Sequence, residues 1–296
     1  MGRLRPPAVS ATIGPVITRR SGYLRICRDP VPAATDQLQT DGFTVMPAVF
    51  SAGEVAALAN DIRRVFAEHP PDERVPGRAH EHWKPFRYEM LNRSGPVQEA
   101  IAHPRILEVI EPLLGGDCHV IANTAWLQPP DESSHGGRFW HIDSGPHVPR
   151  DRDVPWDPRI PYPVFAIAAH LFLIDCPMES GPTGVIPGSH TSGQAPPGRR
   201  AADDDLEWEG RRAVPLTAVA GDVALFVSDA WHRRLPSGPG DPGRFFLQCH
   251  YGRRDLAQRI RTTSVANHLS AEAVERAGTE RARTLIGLHP PFFYDG

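Results

Sequence analysis

The stretch from Phe139 to Asp143 constrains this chain more than any other feature, because it places two metal-binding residue types at strand spacing. Side chains at positions i and i+2 of a β-strand point the same way, so His141 and Asp143 would present an imidazole and a carboxylate side by side. A second imidazole would complete the two-histidine, one-carboxylate triad that holds Fe(II) and leaves coordination positions open. The pattern therefore calls for a distant histidine near a strand end.

His232 is the candidate for that second imidazole. It follows the apolar run 223–227, which is predicted to be a strand and which begins after the turn at Gly221 and Asp222. Arg244 starts the next predicted strand, and a guanidinium there can fix a carboxylate through paired hydrogen bonds. The chain has 14 histidines, so a chance His-x-Asp match is easy. The metal-site prediction therefore depends on the whole combination.

Composition narrows the class of protein. With 296 residues and 40% hydrophobic content, the chain can bury a large core as one domain. A net charge of −3 without a Lys/Arg run predicts no nucleic-acid partner. The four cysteines are widely separated and form no Cys-x-x-Cys pair, which predicts neither a zinc site nor disulfides and fits the cytoplasm. No apolar run suits a membrane span or a secretory signal. The sequence predicts no oligomeric state.

The chain is expected to form a flexible leader, residues 1–34, and a single domain, residues 35–296. Ser51 and Glu54 form a capping box that predicts the start of an amphipathic helix. A second helix is predicted from Pro104 to Leu114, with Pro112 as an alternative end. A helical tail is predicted from Ser270 to about Leu288. Strands are predicted at 42–47, 118–121, 124–128, 165–174, 223–227 and 244–248.

From about Asp36 to about Arg253 the chain resembles the phytanoyl-CoA dioxygenase family of Fe(II)- and 2-oxoglutarate-dependent oxygenases. The likeness is carried by the sequences Asp41-Gly42-Phe43-Thr44-Val45-Met46-Pro47, Trp140-His141-Ile142-Asp143, Gly181-Pro182-Thr183-Gly184-Val185-Ile186-Pro187-Gly188-Ser189-His190 and Gly221-Asp222-Val223-Ala224-Leu225-Phe226 with His232. The resemblance implies a mainly β fold with α-helices: a cupin-like double-stranded β-helix, or jelly roll, with flanking helices. It also implies Fe(II), 2-oxoglutarate and O2 as cofactors and co-substrates.

Carried over by position, the resemblance implies that His141, Asp143 and His232 are the metal ligands and catalytic residues. Arg244 is implied as the anchor of 2-oxoglutarate. Gln128 is a further candidate for co-substrate binding, although a buried Gln that satisfies backbone groups has the same pattern.

Thr183 is also a candidate for co-substrate binding, and the alternative is that its hydroxyl stabilises a turn.

The Pro- and Gly-rich turn 235–243 leaves the register of the following strand open. Arg233, Arg234 and Arg253 therefore stay alternatives to Arg244. The other histidines of interest, His147, His170, His190 and His250, are interpreted as structural or pocket-lining and not as ligands.

The resemblance implies hydroxylation of a small-molecule metabolite, with decarboxylation of 2-oxoglutarate to succinate. Asp143 argues against halogenation, because halogenases of this chemistry leave the carboxylate position to chloride. Desaturation, epimerisation and ring formation would use the same ligands and stay open. A non-catalytic jelly-roll binding module is a second alternative. A cupin metalloenzyme without 2-oxoglutarate is a third, but such an enzyme has no evident use for Arg244. Four arginines near the loop 144–162 hint at an anionic substrate, but a solvated loop gives the same pattern: Arg138, Arg150, Arg152 and Arg159.

Overall fold

Strands form the centre of the molecule and helices cover one face of it. The computed structural model describes residues 16–20, 23–27, 29–71, 85–143, 145–198, 203–260 and 268–290. Their helices are α1 (Ala33–Asp41), α2 (Ala52–Glu68), α3 (Met90–Arg93), α4 (Gly95–Ile101), α5 (Pro104–Leu114), α6 (Ala271–Arg276) and α7 (Glu280–Leu285). Their strands are β1 (Val16–Arg20), β2 (Tyr23–Cys27), β3 (Phe43–Met46), β4 (Phe86–Arg87), β5 (His119–Gln128), β6 (Ala166–Phe172), β7 (Thr183–Val185), β8 (Glu207–Trp208), β9 (Arg211–Arg212), β10 (Val214–Pro215), β11 (Val223–Val227), β12 (His232–Arg234) and β13 (Arg244–Gly252).

Two antiparallel sheets carry the architecture. The larger has six strands in the order β3-β11-β6-β13-β5-β4, and the smaller has three in the order β10-β7-β12. The fold is therefore mostly β with some helices, and it is the jelly-roll class that the sequence resemblance implied. Strands that are neighbours in the sheets are distant in the chain, so residues from separate motifs are brought together.

The central strand β13 shows how the sequence divides the two faces of the larger sheet. Phe245, Leu247 and Cys249 alternate into the main hydrophobic core, which the strands share with helices α2 and α5. Phe246 lies on the opposite face, in a second apolar cluster inside the jelly roll. Arg244 and His250 have the same parity as Phe246 and therefore share that inner face.

The helices pack where their sequence patterns predict. Ser51 caps α2 in the predicted capping box, with reciprocal bonds to Glu54. Helix α5 continues through Pro112 to Leu114, because Leu113 and Leu114 are fully buried and hold the last turn against the core. Each such side chain stabilises the fold by roughly 1.5–3 kcal/mol, which offsets the hydrogen bond that proline cannot donate.

Three elements differ from the simplest reading of the sequence. The β-prone runs 118–121 and 124–128 form one continuous strand, β5, because its partner β13 is nearly as long and pairs along it. The predicted helical tail is two short helices, α6 and α7, separated at Gly278. Strands β1 and β2 pair within the segment expected to be a leader, and Val16 is buried in the main core. The predicted boundary at residue 34, between a leader and the single domain, stays a prediction.

None of the described helices is long and apolar enough to cross a membrane.

Candidate metal centre

The backbone joins His141 directly to His232. Each residue donates its N–H to the carbonyl of the other, both at 3.0 Å, in an isolated antiparallel bridge at the edge of the smaller sheet. Their ring centroids lie 4.4 Å apart. Two imidazoles that are far apart in the sequence thus share one side of a strand pair.

Asp143 completes the cluster two residues beyond His141. Its backbone N–H donates to the carbonyl of Ser228 at 3.1 Å, which fixes the chain beside the turn before His232. Its Oδ1 lies 3.4 Å from Nε2 of His232 and 3.9 Å from Nε2 of His141. One ligand atom from each residue lies within 4.8 Å of the others, close enough for all three to bind one ion.

The hydrogen bonds of the two imidazoles leave Nε2 of each ring available to bind a metal. Nδ1 of His141 lies 3.1 Å from the carbonyl oxygen of Phe139, and Nδ1 of His232 lies 2.9 Å from that of Ala230. A carbonyl can only accept, so each Nδ1 donates and each Nε2 carries a lone pair in the neutral ring. Two lone pairs and a carboxylate oxygen therefore converge on one point, and a cation there satisfies all three.

The electrostatics of Asp143 and His232 agree with that geometry. Burial raises the pKa of Asp143, but the neighbouring His232 and His250 lower it more, so the pKa is well below its usual value. Burial lowers the pKa of His232, but the Asp143 carboxylate raises it more, so the pKa is above its usual value. The carboxylate is therefore ionised, as a metal ligand must be.

The two imidazoles differ in exposure. The side chain of His232 is 7% exposed, whereas that of His141 is 51% exposed. The cluster is thus buried on the His232 side and open on the His141 side. A substrate has access from the open side.

Sequence reasoning missed the contact that His250 makes with this cluster. Nε2 of His250 lies 2.8 Å from Oδ2 of Asp143, the second oxygen of that carboxylate. The interpretation of His250 as a histidine satisfied by a partner agrees with this bond, but the identity of the partner was not predicted. The even spacing of His250 from Arg244 on one predicted strand was the available signal, since it places both residues on one face.

Arg244 lies on the same inner face, at the other end of β13. It is 5% exposed, its guanidinium packs 4.8 Å from the ring of Phe246, and the thiol of Cys176 is close enough to affect its pKa. Burial lowers the pKa of Arg244 to about 10, so it is still a cation at neutral pH. Its Nε is buried without a hydrogen-bond partner. A buried cation with an unused donor fits an incoming carboxylate.

Gln128 is the last residue of β5 in the larger sheet, and Thr183 is the first residue of β7 in the smaller sheet. Gln128 is the cross-strand partner of Arg244, and its buried Oε1 has no hydrogen-bond partner. Thr183 is buried and pairs with Arg234 across the smaller sheet. Directly opposed residues share a face of a sheet, so each candidate stands beside an arginine.

The three alternative arginines are not equivalent. Arg233 packs against the ring of Trp140 and forms an ion pair with Asp204. Arg253 pairs with Asp255 at 3.2 Å. Arg234 is close enough to Arg244 to lower its pKa, which places the two guanidinium groups in one region. Of the three alternatives, Arg234 is therefore the competitor to Arg244.

The other histidines occupy structural positions. Nε2 of His190 lies 2.9 Å from the carbonyl of Gln39, and His147 bonds to the carboxylate of Asp229. His170 is buried among inner-face phenylalanines, where burial and the Arg244 cation hold its pKa well below the usual value.

The arginine-bearing loop also borders a separate cavity. This cavity of about 470 Å³ is lined by Arg150, Arg152, Arg159, Trp156 and Tyr162 among others, and by none of the triad residues. The cavity therefore gives no support to these arginines as part of the metal centre.

A jelly-roll core that carries two histidines and one aspartate at one open-sided cluster defines the class of non-haem facial-triad metalloproteins. A model of the phytanoyl-CoA dioxygenase family matches residues 38–236, more than half of the chain. The chain belongs to this family. It is an iron- and 2-oxoglutarate-dependent oxidoreductase, as the resemblance implied.

Solved structures with the same fold include three enzymes at low sequence identity. The epimerase SnoN in complex with Fe3+, alpha ketoglutarate and nogalamycin RO is 21% identical, with a TM-score of 0.56 over 75% of this chain and 82% of that chain. HygX from Streptomyces hygroscopicus with nickel and 2-oxoglutarate bound is 18% identical, with a TM-score of 0.55 over 81% and 97%. The carbocyclase SnoK from nogalamycin biosynthesis is 17% identical, with a TM-score of 0.57 over 80% and 88%. At these identities the likeness establishes the fold.

Proposed function

We propose that His141, Asp143 and His232 bind Fe(II), that Arg244 binds the distal carboxylate of 2-oxoglutarate, and that the enzyme hydroxylates a small-molecule metabolite. The convergence of two Nε2 lone pairs and one ionised carboxylate oxygen within 4.8 Å is the observation that carries the proposal. When bound, iron, 2-oxoglutarate and O2 supply an oxidant strong enough to attack a carbon-hydrogen bond, with release of succinate and CO2.

The residues of the chain hold the reactants in place. His232 forms the buried side of the centre, and the exposed side of the centre lies toward His141. Arg244 stands on the inner face as the buried cation that orients the co-substrate, and Gln128 is placed to donate or accept a further hydrogen bond. Thr183 would contribute its hydroxyl from the smaller sheet. Fixed ligands of this kind raise the rate by positioning the reactants.

The outcome of the oxidation stays open within one mechanism class. SnoN is described as an epimerase and SnoK as a carbocyclase, and both share the fold of this chain. Epimerisation, ring formation and desaturation are therefore the alternatives to hydroxylation. We place the reaction in the cytoplasm, because the four cysteines are free thiols and three of them are buried.

A spectroscopic titration tests the proposal. Anaerobic addition of Fe(II) and 2-oxoglutarate should give a weak visible metal-to-ligand charge-transfer band. The band should be absent in His141→Ala and much weaker in Arg244→Ala. Zn(II) in place of Fe(II) is the control, since its filled d shell gives no such band. A wild-type protein that binds Fe(II) and shows no band with 2-oxoglutarate would contradict the proposal.

A further inference from the structure

The two oxygens of Asp143 have different surroundings. Oδ1 faces Nε2 of both His141 and His232, whereas Oδ2 accepts a hydrogen bond from Nε2 of His250 at 2.8 Å. A carboxylate whose second oxygen is bonded in this way presents one oxygen to a metal. Oδ1 is therefore the oxygen available to a metal, and Oδ2 is the oxygen held by His250.

His250 lies in a strand that is paired on both sides, whereas Asp143 lies outside regular secondary structure. Asp143 lies in a loop, just beyond the isolated bridge at His141. His250 lies near the end of β13, which is paired on both sides, with Ala122 of β5 and Ala168 of β6 as its cross-strand partners. A bulge against β5 falls between His250 and the next residue, and bulges commonly redirect side chains beside active sites.

We infer that His250 is a positioning residue that holds Asp143 as a one-oxygen ligand. This inference rests on the proposed function for the identity of the bound metal. A facial triad leaves three positions open, and the proposed reaction uses all of them for 2-oxoglutarate and O2. If Oδ2 were released, the carboxylate would be able to rotate and occupy one of these positions with its second oxygen. The bond from His250 prevents that rotation and keeps the position free.

Substitutions at His250 separate this role from simple packing. His250→Leu keeps a side chain of similar size and removes the donor. His250→Gln places an amide N–H at about the reach of Nε2 and keeps the donor. The matched control is His147→Leu, which removes a comparable buried bond from a histidine to Asp229, a carboxylate outside the triad.

The measurement is anaerobic titration of each folded protein with Co(II), whose visible absorption reports its ligands, followed by addition of 2-oxoglutarate. His250→Leu should bind Co(II) about 10- to 100-fold more weakly, the usual effect of losing a partner of a metal ligand. His250→Gln should recover most of that affinity. His147→Leu should lower the midpoint of unfolding and leave the affinity of the folded protein for Co(II) unchanged.

Two results would overturn the inference. One is wild-type Co(II) affinity in His250→Leu, and the other is equal impairment of the Leu and Gln variants or of the His147→Leu control. Failure of the proposed function gives a different result: the wild type would bind Co(II) and show no spectral response to 2-oxoglutarate, while the ranking of the His250 variants would still hold. A wild type that binds no Co(II) would contradict both.

Discussion

Gly42 and His190 are in direct contact, although almost 150 residues separate them in the sequence: a Cβ on Gly42 would lie 2.6 Å from Nδ1 of His190. The N–H of Gly188 donates to the carbonyl of Asp41 at 2.8 Å beside this contact. Two of the motifs that carry the family resemblance therefore pack against each other. Gly42, Gly188 and His190 therefore maintain the fold and are not members of the metal cluster.

Gly42→Ala should destabilise the protein by about 2–4 kcal/mol. The backbone of Gly42 has φ of +83°, which costs a side chain roughly 1–2 kcal/mol, and the added methyl group would press into the ring of His190 at a further cost. Urea unfolding measures the change. Gly53→Ala is the control, because Gly53 lies in the first turn of α2 with open space around it and should gain up to about 1 kcal/mol. Equal stability of the two variants would contradict the account.

Stability should fall in acid partly through His190. Burial lowers its pKa to about 4 from the usual 6.5, despite the bond to the carbonyl of Gln39. The unfolded chain therefore takes up the proton first, so the contribution of neutral His190 is complete above about pH 6.5 and is lost as the pH falls toward 4. The loss between pH 7.5 and 5 amounts to about 2 kcal/mol.

A variant that cannot titrate checks this contribution. Glutamine at this position keeps a donor for the Gln39 carbonyl and takes up no proton. Urea unfolding at pH 7.5 and pH 5 should show a pH dependence about 2 kcal/mol smaller in His190→Gln than in the wild type. The same dependence in both proteins would mean that His190 is not held neutral by burial.

Arg244→Lys should raise the KM for 2-oxoglutarate by about 10- to 100-fold, because an ammonium keeps the charge but loses the paired geometry that suits a carboxylate. Fe(II) affinity should not change, since Arg244 is not a ligand. The comparison is Arg234→Lys, the neighbouring guanidinium, measured in the same succinate-release assay. A larger effect at Arg234 than at Arg244 would mean that Arg234, and not Arg244, binds the distal carboxylate of 2-oxoglutarate.

Local patterns in the sequence were sufficient for much of the fold. The capping box at Ser51 defines the start of α2, and the apolar run around Ala169 defines β6. These signals depend only on neighbouring residues. The tail was predicted as one helix because Gly278 lies in an otherwise helical composition, and only packing decides that the chain breaks there.

The candidate site also has a part that neighbouring residues predict and a part that depends on the assembled sheets. His141 and Asp143 are two residues apart, so the sequence alone places them close together, although the chain there forms an isolated bridge and a bend and not the strand on which the i and i+2 argument was based. The contact of His250 with Asp143 depends on sheet register, on a bulge and on the path of a loop, none of which a single sequence specifies. The choice of Arg244 and Arg234 over Arg233 and Arg253 likewise required the two sheets to be assembled.

The central claim is that residues 141, 143 and 232 share one metal ion, and anomalous diffraction tests it most directly. Crystals grown anaerobically with Fe(II) and 2-oxoglutarate should show one anomalous peak at about 2.1 Å from Nε2 of His141, Oδ1 of Asp143 and Nε2 of His232, the usual bond length for such ligands. A peak at any other site, or one that lies outside bonding distance of His232, would contradict the account.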